Sequence, residues 1–422
     1  VPHLLLIAAH FAPSQAVGGR RAERMARHLT ARGWQVTVVA LHPHYSPPID
    51  PNLQPPEGCT LIRTAAWAPM TWGRQLRDQL QSMRPPRPAG SAGQPPDATS
   101  PSAASWRRAL RSGWDDARAW LTYPDEQAGW GPFLERAVSS VRADAVLVTA
   151  PPHSASVTAA RIARRKGIAL AVDYRDPWAE LIAHPAQASL HRHAEDRVLR
   201  QASLVIGVSP TICDLLRPRT DATVAFIPNA IDHCPQLLQT GPEPELAYAG
   251  TLAYGRTLLP LLEALKRLQR GRLVYSGGET GLMAADVARA DAAAWVDVRG
   301  AVSKPQAMQM VQRARAGVVL VSDDFAYQYP GKIFDILGAG RPLLLIGPRD
   351  CDAAQLIRQH QLGWAVSPDD PQGVAQAVAE ALQGRSFTPT GLETLTAEAT
   401  MAQLDEALRR MIARYPRGRP LS

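Results

Sequence analysis

Cysteine is scarce in this chain. Its four copies among 422 residues, Cys59, Cys213, Cys234 and Cys351, stand far apart, and no pair has zinc or redox spacing. They read as reduced thiols. Long apolar runs are also missing, and none approaches the roughly 20 residues that span a bilayer. The opening run Leu4–Ala9 matches a signal core only in hydrophobicity. It lacks a basic leader and runs into a Pro/Gly loop, which suits a first buried strand. No Gly-x-Gly-x-x-Gly follows a strand in either half, which argues against a dinucleotide-binding dehydrogenase. Neither a stacking-aromatic nor a zinc-finger signature is present, so no nucleic-acid partner is expected.

What the chain does have is length, apolar content and positive charge. Its 422 residues predict two domains, and 45% hydrophobic content is ample for their cores. The formal charge of +8 and sequence pI of about 9.6 permit an anionic ligand or an anionic lipid surface.

Strand and helix signals alternate along the first half. Leu4–Ala9 reads as a strand buried on both faces. Ala22, Met25, Ala26 and Leu29 follow helical spacing up to Gly33, and Val36–Leu41 is the next strand. Further strands are expected at Ala145–Thr149, Ala169–Asp173 and Leu204–Val208, with helices at Ser154–Lys166 and Leu190–Gln201. This order begins a doubly wound parallel sheet. A Pro/Gly/Ser-rich insertion at about 85–105 interrupts it.

A second α/β series follows the linker 234–244. Its strands are expected at Leu246–Ala249, Arg272–Ser276, Ala294–Arg299, Gly317–Val321 and Pro342–Ile346. Its helices are expected at about Leu258–Leu268, Pro305–Ala314, Lys332–Leu337 and Ala353–Gln359. The expected domains are therefore 1–235 and 245–390. The segment 391–422 forms a last helix that can cross back to the first domain.

Several motifs fall at strand ends, where α/β sheets bind ligands. Gly18-Gly19-Arg20-Arg21 joins the first strand to a helix start, where bare amides suit a phosphate or a sugar hydroxyl; a plain flexible turn is the alternative. Pro151-Pro152-His153-Ser154 places His153 at another strand end, as a site residue or a structural histidine. In Asp173-Tyr174-Arg175-Asp176-Pro177-Trp178, the spacing of the two aspartates suits a metal, but the intervening arginine favours ion pairing. His191 and Glu195 can share a helix face, but His193 points away from both, which argues against a metal site; a solvated helix face explains the three.

In the second half, Gly250–Arg256 is an anion-ready loop whose Arg256 can fork onto phosphate oxygens. Tyr329-Pro330-Gly331-Lys332-Ile333-Phe334-Asp335 starts a short helix with Lys332 and Asp335 on one face. Lysine there can neutralise a diphosphate, and the carboxylate can accept ribose hydroxyls. A surface Lys–Asp pair is the alternative.

Taken with Tyr123-Pro124-Asp125, Gly129-Trp130 and Ile227–Asp232, these residues resemble glycosyltransferase family four, the retaining GT-B group. The closest pattern is the subset with Pro-Pro-His-Ser and Asp-[Tyr/Phe]-Arg-Asp-Pro-Trp blocks. The resemblance implies an α/β GT-B fold, two doubly wound Rossmann-like domains facing across a cleft. It implies a sugar transfer from a nucleotide-diphosphate sugar to a saccharide or lipid-linked acceptor hydroxyl, in bacterial surface polysaccharide or glycolipid synthesis.

It also implies roles. Catalytic residues would be His153, Arg256 and Lys332. Donor contacts would come from Gly18, Gly19, Thr251, Arg256, Tyr329, Gly331, Lys332 and Asp335. The acceptor side would include His10, Asp173, Arg175 and Asp176. No cofactor or metal is implied. Two departures stand out: Tyr327 occupies the first acidic position of the family's carboxylate pair, with Asp323 or Asp324 as substitutes. Thr251 replaces an arginine common in the Gly250 loop.

Trp106, Arg107, Arg108, Arg111, Trp114, Arg118 and Trp120 form a basic, Trp-rich stretch. It suits an anionic membrane surface or a helix packed over the sheet. The expected location is the cytoplasm, with that stretch able to rest on the inner face of the plasma membrane. The alternatives in function are a sugar-nucleotide epimerase of similar fold, for which no clear acid/base carboxylate set is visible, and a non-catalytic sugar-nucleotide-binding protein.

Overall fold

The structure, a computed structural model, describes residues 1–45, 48–67, 123–182, 185–232, 234–278 and 280–415. The predicted insertion at 85–105 and the Trp106–Trp120 stretch lie outside the described residues. The chain forms two compact units, Val1–Ser203 with the chain from Met411, and Leu204–Arg410.

The first sheet contains β1 (His3–Ile7), β2 (Gln35–Leu41), β3 (Thr60–Thr64), β4 (Ala145–Ala150), β5 (Ala169–Tyr174), β6 (Leu204–Gly207) and β7 (Thr223–Phe226). Its order is β3-β2-β1-β4-β5-β6-β7. The ladders β2–β3, β1–β2, β1–β4, β4–β5 and β6–β7 are parallel. The strand order reverses between β1 and β4, the position where doubly wound sheets open a crevice beyond their strand ends. Leu4, Leu5, Leu6 and Ile7 are fully buried, as expected for a strand covered on both faces.

The described helices of this part are α1 (Val17–Ala31), α2 (Gly131–Ala137), α3 (His153–Lys166), α4 (Pro185–Gln201) and α5 (Pro210–Leu216). In α1 the spaced residues Ala22, Met25, Ala26 and Leu29 are all buried. The apolar stripe read from the sequence is thus the face that packs on the sheet.

The second sheet contains β8 (Glu243–Ala249), β9 (Arg272–Ser276), β10 (Val296–Val298), β11 (Ala314–Leu320), β12 (Leu343–Ile346) and β13 (Gly363–Val366). Its order is β10-β9-β8-β11-β12-β13, and its ladders are parallel. Here the order reverses between β8 and β11. The helices are α6 (Leu259–Leu268), α7 (Gly281–Ala290), α8 (Lys304–Arg313), α9 (Gly331–Gly338), α10 (Asp352–His360), α11 (Pro371–Gln383) and α12 (Ala397–Arg414).

Helix α9 packs very close to this sheet. A Cβ on Gly317 of β11 would lie 2.6 Å from two Ile336 side-chain carbons, so glycine is what permits the approach. The two parallel doubly wound sheets with interleaved helices expected from the sequence are present. Some elements differ from the sequence reading. The last helix begins at Ala397, because Leu392–Leu395 form a 3-10 turn, and α7, β13 and α11 were not anticipated.

Candidate active site

The second unit holds a pocket of about 570 Å³ lined by Gly250, Thr251, Ala253, Tyr254, Arg256 and Lys332. β8 delivers the 250–256 loop, and α9 delivers Lys332 from its first turn. First-turn amides of a helix are free to meet an anion.

The two cations of this pocket lack carboxylate partners among the described residues. Arg256 donates from Nη2 to the Gln328 side-chain oxygen at 3.1 Å, its guanidinium lies 5.9 Å from the Phe325 ring centre, and its Nε is buried with no hydrogen-bond partner. The Lys332 Nζ sits 3.8 Å from the centre of the Tyr248 ring. Burial, and then the neighbouring Arg256, push the Lys332 ammonium down to about 7. Bringing two like charges together in a partly desolvated place is costly unless an anion balances them.

Other expected donor residues divide around this pocket. Asp335 accepts from Lys304 at 2.7 Å, with both side chains about two-fifths exposed (41% and 40%). Tyr329 lies in the hydrophobic cluster with Ile333, Phe334 and Leu337 and does not line the pocket. Burial raises its phenol above the ordinary range. Tyr327 is buried, 6.0 Å from Phe325, while Asp323 and Asp324 are exposed on a 3-10 turn. Tyr254 holds a left-handed backbone, φ 57°, with its ring 71% exposed at the pocket wall. Such a conformation is uncommon for a bulky residue and tends to occur at functional positions. A second cavity, about 420 Å³ and lined by Met283, Val287 and Val298 among others, is mainly apolar and suits no phosphate.

The first unit brings three separate motifs together. His153 opens α3, and its ring stacks on Trp178, with centroids 4.9 Å apart and planes 4° apart. The Trp178 Nε1 donates to His191 Nδ1 at 2.8 Å, which leaves the neutral His191 ring protonated on Nε2. Tyr123 meets His191 edge-on at 4.9 Å. Asp125 accepts from the Ser154 amide at 2.7 Å and the Ser154 hydroxyl at 2.6 Å, fixing the start of α3. Burial of His153, with positive Arg175 nearby, pushes its imidazole down to about 3. His153 is therefore neutral near pH 7, able to exchange hydrogen bonds but not to carry a charge. Its Nδ1 is buried without a partner.

The expected acceptor-side residues are strongly engaged. Arg21 grips Asp173 through Nε at 2.9 and 3.1 Å and Nη2 at 2.8 Å; the two side chains are 4% and 0% exposed. Arg175 donates to the carbonyls of Ala150 and Pro151. A Cβ on Gly18 would fall 2.1 Å from the Arg175 guanidinium, so the first turn of α1 lies directly against that side chain. Gly19 faces the His10 backbone, and a Cβ there would be 3.4 Å from the His10 carbonyl. His10 is pushed down to about 4 by burial and by Arg175. Asp176 is half-buried.

Arg21, Asp125, Trp178, His191 and Tyr248 matter here without having been assigned roles from sequence. The prior signals were the places of Arg21, Asp125 and Trp178 within quoted motifs and of Tyr248 within an expected strand; His191 and Glu195, expected on a solvated helix face, are instead buried, with His191 held against the Trp178 indole. Among the described residues no cluster of His, Cys, Asp and Glu is able to hold a metal ion. No helix among them is long and apolar enough to cross a membrane.

Comparison with known proteins supplies the class. Residues 18–230 match the family described as glycosyl transferase 4-like domain. Solved structures share the fold at low identity. An alpha,alpha-trehalose-phosphate synthase (UDP-forming) from Burkholderia vietnamiensis has a TM-score of 0.61 and 12% identity, covering 98% of this chain and 100% of its own. The trehalose 6-phosphate synthase of Burkholderia multivorans gives 0.57 and 11%, with coverage of 98% and 99%. The N-terminal domain of the Candida albicans trehalose-6-phosphate phosphatase gives 0.54 and 12%, with coverage of 98% and 96%. No curated protein sequence matches. The chain belongs to the glycosyl transferase 4-like domain family and is a glycosyltransferase of GT-B fold.

Proposed function

We propose that the protein is a retaining glycosyltransferase that moves a sugar from a nucleotide-diphosphate sugar to an acceptor hydroxyl, in bacterial surface polysaccharide or glycolipid synthesis. The observation that carries this reading is the pair Arg256 and Lys332. Both line one pocket, and neither has a carboxylate partner among the described residues.

The chemistry follows from where charge develops. Breaking the bond between the sugar and the diphosphate builds negative charge on the leaving phosphate oxygen. Fixed cations aimed at that oxygen stabilise the transition state more than the ground state. Lys332 and Arg256, with the amides that open α9, supply that charge. Asp335 is assigned to the ribose hydroxyls, with one carboxylate oxygen held by Lys304.

A retaining transfer on one face of the sugar needs no enzyme nucleophile, which fits a pocket lining of Gly250, Thr251, Ala253, Tyr254, Arg256 and Lys332. The acceptor hydroxyl then attacks on the face that the leaving phosphate vacates, and that phosphate takes its proton. In the first unit, His153, Gly18 and Gly19 are assigned to sugar contacts, and His10 with Asp176 to the acceptor side. His153 acts as a neutral hydrogen-bonding group.

The test is a binding and turnover screen of UDP-, GDP-, ADP- and dTDP-sugars, followed by the anomer formed with an acceptor. One nucleotide should bind, and Lys332→Ala should weaken it by about 10²-fold, as loss of a charge-assisted contact does. Asp335→Ala should weaken the nucleoside diphosphate but not inorganic pyrophosphate. Unchanged binding in both variants would sink the assignment. An inverted product would overturn the retaining step alone.

A further inference from the structure

The floor beneath the pocket is aromatic. Tyr248 near the end of β8 and Tyr275 of β9 are register partners in a parallel ladder and project to the same face. Both are fully buried, and their rings stack with centroids 5.7 Å apart and planes 3° apart. The Tyr248 hydroxyl donates to the Thr251 carbonyl at 3.2 Å, tying the ring to the 250–256 loop. Above it lies the Lys332 ammonium, 3.8 Å from the ring centre. A Cβ on Gly250 would be 3.0 Å from that same nitrogen, so lysine, ring and loop are in mutual contact.

Arg256 faces Lys332 from the loop after β8 and opposes its charge. Tyr248 faces it from β8 itself. On its own helix, Asp335 is bonded by Lys304 of α8. Burial also opposes the charge. The face of an aromatic ring carries partial negative charge and attracts a cation within about 6 Å, most strongly where water is excluded. Tyr248 is thus the touching group that favours the ammonium.

We propose that Tyr248, backed by Tyr275, is a positioning residue whose ring seats the Lys332 ammonium beside Gly250, where a donor diphosphate meets it. The inference rests on the reading of this pocket as the diphosphate site. Tyr248 acts through Lys332, since it does not itself line the pocket.

Tyr248→Phe keeps the ring face, while Tyr248→Leu removes it; Tyr248→Met replaces the leucine variant if that one does not fold. Two measurements apply to each full-length variant. One is UDP, GDP, ADP and dTDP affinity by calorimetry from pH 6 to 9. The other is competitive acetylation of Lys332 by acetic anhydride over the same range, read by mass spectrometry without ligand. The phenylalanine variant should stay within about twofold of wild type in both. The leucine variant should lose about tenfold in affinity, and its labelling midpoint should fall by about one pH unit.

Equal losses in the two variants, or an unmoved labelling midpoint in Tyr248→Leu, overturn the seat. A shifted midpoint in a protein that binds none of the four nucleotides supports the seat and sinks the diphosphate reading.

Discussion

Around His153 the arginines are already matched. Arg21 grips Asp173, Arg175 donates to two carbonyls, and Asp125 is spent on the first turn of α3. Around Lys332 the balance is different. Lys332 rests on a neutral ring, Arg256 on a neutral amide, and the Arg256 Nε has no partner. In the first cluster the charged groups are engaged without a ligand, and the His153 Nδ1 is left without a partner. The second is left with positive charge that only an added anion would balance. A closed network fixes geometry, whereas an open one stores the capacity to bind.

Deleting one charge from each cluster should therefore act with opposite sign. Arg21→Met leaves the Asp173 carboxylate buried and unpaired. It should lower unfolding free energy by about 3–5 kcal/mol in urea titration. If the loss is below about 1 kcal/mol, the first cluster is not the closed network described here.

Lys332→Met removes a buried cation that has no carboxylate. It should raise the stability of the ligand-free protein by about 1–3 kcal/mol while weakening nucleotide binding. The pH dependence sharpens the test. The folded-state value near 7 lies below the unfolded value of 10.5, so between them the unfolded chain holds a proton that the folded one lacks. Wild-type stability should rise with pH across this window. The advantage of Lys332→Met should be greatest below pH 7 and shrink towards pH 9. An advantage that grows with pH would contradict the open-cluster description.

The smallest effect is a null one. His153 is pushed down to about 3, so it stays neutral across the working range. The pH–rate profile should show no inflection between pH 5 and 8 that His153→Asn abolishes. Such an inflection would mean the histidine carries a proton.

Much of the frame was legible because burial imposes short-range patterns. The run Leu4–Ile7 and the stripe Ala22, Met25, Ala26 and Leu29 announce their strand and helix directly. Family blocks placed His153 and Lys332 at helix starts after strands, where they are found. Short or weakly patterned elements escaped, such as β13, four residues long, and the alanine-rich α7.

Side-chain partners escaped for another reason. Asp173 and Arg21 are 152 residues apart in sequence, and nothing local says that Arg21, rather than the adjacent Arg175, takes the carboxylate. The polar letters His191 and Glu195 read as a solvated helix face, yet both are buried and His191 accepts from the Trp178 indole. Tyr329 sits in the most telling motif but packs into the hydrophobic cluster below α9.

The lysine on its aromatic seat has a consequence for traffic through the site. With its ammonium poised near 7, part of the ligand-free protein holds Lys332 uncharged at neutral pH. On the proposed reading of this pocket, an arriving diphosphate would stabilise the charged form, so its entry would draw a proton from solvent and its departure would return one. Nucleotide release would then be easier in an alkaline medium than in an acidic one. Product discharge would become an acid–base event, measurable as buffer-dependent heat, even with no proton moving through His153.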